Sequence, residues 1–133
     1  MNATRADTLL HMTCLLRSVT TALLICSASA TLADAPEIIT VSAERSGMGW
    51  RIDVTIRHND TGWDHYADGW EILDANGKRL GLRKLMHPHV DEQPFTRSLR
   101  SVMVPDGTEV IYIRARCSTD GWHGDQVAVP LSH

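Results

Sequence analysis

Trp50-Arg-Ile-Asp-Val-Thr-Ile-Arg57 is the stretch that decides the fold. Trp50, Ile52, Val54 and Ile56 fall on one side of an extended chain, and Arg51, Asp53, Thr55 and Arg57 on the other. A strict period of two, apolar against polar, describes a strand with one face in a core and one in water. No helix tolerates that pattern, because a 3.6-residue period would scatter the apolar side chains around its circumference.

The same reading extends outward. Ile111, Ile113, Ala115 and Cys117 alternate with Tyr112, Arg114 and Arg116, and Val127, Val129 and Leu131 share one face more weakly. Glu37–Ala43 is an apolar, β-branched run that reads as the first strand. Trp70–Leu73 and Arg79–Leu85 flank Asp74-Ala-Asn-Gly77, a hairpin signal because Asn-Gly adopts positive φ at little cost. Phe95–Val104 is a further strand, and Pro105-Asp-Gly107 a tight turn. The expectation is an all-β domain of seven strands, an antiparallel immunoglobulin- or fibronectin-III-like sandwich over residues 34–133.

Residues 1–33 read as a secretory signal peptide. Arg17 gives a positive flank, Val19–Cys26 is short and apolar, and Ser27-Ala-Ser-Ala30 is a small-residue exit. The translated start could equally be Met12. The apolar run falls far short of the roughly 20 residues that span a bilayer, so the mature form is expected to have no membrane span and to be periplasmic or secreted by a bacterium. Cys14 and Cys26 would leave with the signal. Cys117 then stands without a disulfide partner in the chain; such a cysteine can be a buried small hydrophobe, a metal ligand or an intermolecular link, and its shared face with Ile111, Ile113 and Ala115 favours the core. The chain carries 13 Lys and Arg against 16 Asp and Glu, for a net charge of −3, with the signs interspersed. That balance argues against nucleic acid and anionic membrane surfaces as partners. Asn59-Asp-Thr61 matches a glycosylation acceptor, which the bacterial character of the signal discounts.

Strand directions place the unusual residues. If successive strands alternate, three polar stretches share one end of the sandwich: Asn59–Gly69, Met86–Pro94 and Ser118–Asp125. They hold four of the seven histidines, His65, His87, His89 and His123, and a fifth, His58, ends the strand before the first stretch. His87-Pro-His89 is the sharpest local signal, since residues two apart in an extended segment point the same way. Imidazoles suit Zn and Cu, so His87, His89, His65 and His123 are the candidate metal ligands for a Cu or Zn ion. Asp64, Asp91, Glu92 and Asp120 could orient the rings from behind, and Trp63, Trp122 and Tyr66 could contact a ligand. Two other readings stay open. The loops could form a purely structural network that closes the sandwich end, with Trp63 and Trp122 capping the core, in an interaction module for an envelope protein partner. Alternatively, the aromatic and acidic groups could hold a sugar or a cationic ligand. Catalysis is not expected. Cys117 and His123 could pair as nucleophile and base, yet an apolar face raises a thiol pKa rather than activating it. Arg97 or Arg116 is expected to form a two-pronged pair with a loop carboxylate.

Thr61-Gly-Trp-Asp-His-Tyr-Ala-Asp68 with Trp70-Glu71, His87-Pro-His-Val-Asp-Glu-Gln-Pro-Phe-Thr-Arg97, Arg114-Ala-Arg116 and Gly121-Trp122 carry a resemblance. Over Trp50–Leu131 the chain resembles a group of small exported bacterial proteins with no assigned function, which implies an exported β-sandwich and no particular activity. The architecture is also similar to periplasmic copper-carrying sandwiches, a likeness of fold that assigns no residue.

Overall fold

The computed structural model describes residues 34–132. The signal peptide read over residues 1–33 lies outside them. Among the described residues there are eight strands: β1 (Glu37–Ser46), β2 (Gly49–Arg57), β3 (Ala67–Leu73), β4 (Arg79–Lys84), β5 (Phe95–Val102), β6 (Val110–Cys117), β7 (Gly121–Trp122) and β8 (Val127–Pro130). No helix among them is long and apolar enough to cross a membrane.

The strands form two sheets in which every pairing is antiparallel. One sheet has the order β1-β2-β5; the other runs β4-β3-β6, with β7 and β8 both paired to β6. β7 lies against the end of β6, at Arg116↔Trp122, and β8 against its beginning, at Val110↔Pro130 through Ile113↔Val127. They are two pieces of one edge, interrupted at residues 123–126. The eighth strand comes from this interruption. Gly121 and Trp122, expected in a loop, pair with β6 because Gly121 takes φ +78° and turns the chain straight back. Likewise Ala67, Asp68 and Gly69, expected in the first loop, belong to β3.

The alternation in sequence becomes a single shared core. Trp50, Ile52, Val54 and Ile56 of β2, Trp70 and Ile72 of β3, and Ile111, Ile113 and Ala115 of β6 are buried together. Burial of these apolar faces is the dominant favourable contribution to folding. Gly81 is placed where that core is tightest: a Cβ there would lie 2.9 Å from Leu99 Cδ2 and 3.3 Å from Ile72 Cδ1.

β3 departs from alternation by being buried on both faces. Its outward residue Glu71 is 0% exposed and accepts hydrogen bonds from Arg79 Nε of β4 and Arg114 Nε of β6, at 2.5 Å each. One carboxylate thus ties three adjacent strands across the outer face. The short connections are built from local chemistry. Asp74 Oδ1 accepts from the amides of Asn76 and Lys78 at 2.8 and 2.9 Å, and Gly77 takes φ +78°.

Glu71→Ala should cost about 1.5–3 kcal/mol in equilibrium urea unfolding, the range for a hydrogen-bonded charged group whose partners keep some access to water. Side-chain exposures of 48% at Arg79 and 29% at Arg114 set that moderate figure, because neither cation is left fully buried. A loss below about 0.5 kcal/mol would show that Glu71 does not tie the sheet.

Candidate functional site

The three polar stretches do meet at one end, and one side chain organises the meeting. Asp60, three residues beyond β2, has a wholly buried carboxylate. Its Oδ1 accepts from His58 Nδ1 at 2.6 Å and from the Ala67 amide at 2.9 Å; its Oδ2 accepts from the His89 amide at 2.7 Å. The first loop, the start of β3 and the second loop therefore converge on one group. Gln93 adds a second tie, accepting from the His58 amide and donating to the His89 carbonyl. The third stretch joins through Ser118, whose Oγ accepts from the Tyr66 amide at 3.1 Å, and through Thr119, which donates to the Asp64 carbonyl at 3.3 Å.

The histidines are drawn into separate places. The described residues contain one three-residue group of metal-ligating type whose donor atoms lie within 4.8 Å of one another: His58, His65 and Cys117. His65 is the member of this group that was anticipated as a ligand. Its ring meets His58 edge-on at 4.8 Å, and the small turn Gly62–His65 holds it there through mutual backbone hydrogen bonds with Thr61 and Gly62. Cys117 ends β6 opposite Ala67, wholly buried, with no hydrogen bond to its sulfur among the described residues. His58 is held at both ring nitrogens, by Asp60 and by the Asp34 carbonyl at 3.0 Å.

His87 and His89 do stand together, with rings 4.5 Å apart. Their environments differ. His87 is exposed, on the rim of an open hollow it shares with Trp63, Val90, Asp91 and Glu92. His89 is buried, its ring stacked on Phe95 at 3.8 Å, and its Nε2 accepts from Arg97 Nη2 at 2.8 Å. That bond fixes the neutral tautomer with the proton on Nδ1, which has no hydrogen-bond partner and lies 3.9 Å from Asp60 Oδ2. A cation at Nε2 would have to displace a guanidinium. Burial, then the positive charge of Arg97, hold His89 below the ordinary imidazole value of 6.5. His123 sits apart, its backbone amide bonded to the Ala115 carbonyl, beside a small hollow lined by Ala35, Pro36, Ile38 and Asp125.

The anticipated supporting groups are distributed in the same way. Arg97 does grip Glu92 with two prongs, at 3.1 and 3.5 Å, and this cation holds the Glu92 carboxyl below its usual range. Arg116 pairs with Asp68 at 2.9 Å. Asp64, Asp91 and Asp120 are exposed. Trp63 is 70% exposed and meets Tyr66 edge-on at 5.9 Å, so it does not cap the core. Neither does Trp122, which lies on the outer face of its sheet under Arg79, Arg114 and Arg116. Sequence reasoning missed Asp60 as the organiser, and it did not join His58 and Cys117, read mainly as a core residue, to His65 as one group. The spacing His58-Asn-Asp60 was the available signal; the approach of Cys117 is long-range and needs the β3–β6 register.

Asp60→Asn should lower stability by at least about 2 kcal/mol, since an amide cannot accept from all three donors. Amide exchange should quicken specifically at Ala67 and His89; unchanged protection there would remove Asp60 from its central place. His89 generates a pH dependence. Its folded value is depressed, so the unfolded chain binds the proton first. The stability it contributes is present above pH 6.5 and lost as the pH falls below that value. His89→Gln, which can still accept from Arg97, should flatten the acid limb of a stability–pH curve. An identical limb in the variant would assign the dependence to other groups.

No protein-family model and no solved structure matches the chain. Over 83 residues, 62% of this chain, it is 40% identical to a protein of Halomicrobium mukohataei named "Putative lipoprotein". The match spans 40% of that relative's length.

Proposed function

We propose that this chain is an exported, non-catalytic binding domain that holds a transition-metal ion, Zn or Cu, between His58, His65 and Cys117. The observation that carries the reading is the convergence of two imidazoles and one thiol within 4.8 Å. Nitrogen and sulfur donors in that ratio suit Zn and Cu and disfavour Mg and Ca, which take oxygen. The Asp60 carboxylate on His58 is the kind of partner that orients metal-bound imidazoles. Binding would require one His58 nitrogen to give up its oxygen acceptor together with the proton it donates there, and Cys117 to lose its proton, both protons passing to solvent. His87 and His89 fall outside this group, and the Arg97 guanidinium on His89 disfavours a second cation there.

Export is supported by the leader-like character of residues 1–33 and by the name of the Halomicrobium relative, "Putative lipoprotein". The order β1-β2-β5 against β4-β3-β6-β7/β8 supports the fibronectin-III-like reading of the sandwich. The absence of catalysis is argued from Cys117: a thiol with no exposure cannot reach a substrate. A second reading is favoured by the occupancy of both His58 nitrogens. On it, the same groups form a structural lock, and the domain serves as an interaction module for an envelope partner.

Titration calorimetry of the untagged protein with Zn(II), and with Cu(I) under reducing conditions, should show one site and a rise in melting temperature. Affinity should fall below about pH 6 as imidazoles protonate. Cys117→Ser and His65→Ala should each weaken binding at least about tenfold, while the paired substitution of His87 and His89 by Ala leaves the stoichiometry at one. Absence of one-to-one uptake at micromolar concentration would leave the structural lock as the reading.

A further inference from the structure

The outer face of the sheet containing β3 carries a second site, independent of the metal reading. Trp122 lies there beneath three guanidinium groups. Arg114 Cζ is 5.2 Å from its ring centroid, Arg116 Cζ 5.4 Å and Arg79 Cζ 5.6 Å. Such contacts hold cations over an aromatic face. They also hold three like charges close to one another, which is unfavourable unless anions answer them.

Only part of that charge is answered internally. Arg79 and Arg114 share Glu71, each through Nε, and Arg116 faces Asp68, again through Nε. None of the three donates a hydrogen bond from its terminal nitrogens among the described residues. Lys84, exposed on the neighbouring β4, has no hydrogen bond or ion pair among them. The cluster therefore sets Arg79, Arg114, Arg116 and Lys84 against only Glu71 and Asp68, a local excess of positive charge in a chain of net charge −3. The guanidinium forks that remain free are the ends that match the two oxygens of a carboxylate or phosphate.

A cavity of about 310 Å³ opens beside the cluster, the size of a small organic ligand. One part of its wall is Arg79, Lys84 and Arg116, with Asp68 beside Arg116; another is apolar, with Leu82, Leu85 and Met86; Tyr66 and Trp122 complete it. Met86 is 72% exposed and borders the charged rim. From this juxtaposition we infer that the cavity binds a small organic anion, its carboxylate or phosphate head on Arg79, Lys84 and Arg116 and its apolar body on Leu82 and Met86. The internal carboxylates contribute by fixing the arginines. With Nε of Arg79 and Arg114 hydrogen-bonded to Glu71, Arg116 paired in charge with Asp68, and the guanidinium groups held over Trp122, the terminal forks are oriented before a ligand arrives, which lowers the ordering cost of binding.

Calorimetric titration of the purified protein with phenyl phosphate, benzoate, inorganic phosphate and benzyl alcohol tests this. Phenyl phosphate or benzoate should bind one-to-one, at least about tenfold more tightly than inorganic phosphate and benzyl alcohol. Which of the first two binds better identifies the head group. Lys84→Glu should weaken that binding at least about tenfold without moving the melting temperature, because the Lys84 side chain makes no hydrogen bond or ion pair among the described residues. Met86→Ala should weaken the aromatic anion and leave inorganic phosphate unaffected. Failure of both aromatic anions to saturate a single site at low millimolar concentration would overturn the inference. So would inorganic phosphate or the neutral alcohol matching them, or Lys84→Glu binding like wild type.

Discussion

The loop end of this sandwich depends on a carboxylate that water cannot reach. A buried charge is tolerated only where hydrogen bonds replace its hydration, and Asp60 draws those bonds from the His58 ring and from the amides of Ala67 and His89. The geometry of the site follows. Ala67 is the first residue of β3 and pairs with Cys117, so an amide fixed by Asp60 also fixes where the thiol arrives relative to His58. The His89 amide, drawn to the same carboxylate, places the second loop so that its ring stacks on Phe95 and meets Arg97. The loops are long and polar, yet they have little freedom at this point.

The same principle operates on the opposite side of β3. Glu71 is buried beneath arginines, and these are in turn spread over Trp122. Two carboxylates therefore organise the two regions of functional interest, one at the end of the sandwich and one on its face. The difference between them lies in the donors. Asp60 is answered mostly by backbone amides, which makes a rigid, closed centre. Glu71 is answered by long cationic side chains with ends still open to solvent, which makes a surface able to receive something.

What the sequence disclosed was the part of the structure governed by local period. The alternation in β2 and β6 was legible because each has one wet face, and the turn at Asp74–Gly77 because its chemistry is contained in a few residues. The gathering of the polar stretches at one end followed from counting antiparallel directions. The grouping of the histidines within that end did not, since it depends on register: Ala67 must pair with Cys117, and the chain must turn back at Gly62, before His58, His65 and Cys117 can meet. Counting histidines favoured His87 and His89 by their spacing, and that spacing did bring their rings together, but Phe95 and Arg97, at the start of the strand that follows the same loop, occupy one of them. Glu71 was hidden for a similar reason. In Trp70-Glu-Ile-Leu73 the alternation sends Glu71 outward, and nothing local says that arginines from β4 and β6 will close over it.

The break between β7 and β8 has a consequence for how the domain coexists with its own copies. An uninterrupted strand on the edge of β6 would present a row of unpaired backbone groups, a template on which a neighbouring molecule could add a strand. Here that edge is a two-residue piece and a four-residue piece ending in Pro130, which has no amide hydrogen to offer. The His123–Gln126 step between them turns the chain out of register, and β1, at the margin of the other sheet, carries its own irregularity between Ile38 and Thr40. A crowded solution of this protein would therefore find no long, flat margin on that side from which to begin an ordered aggregate.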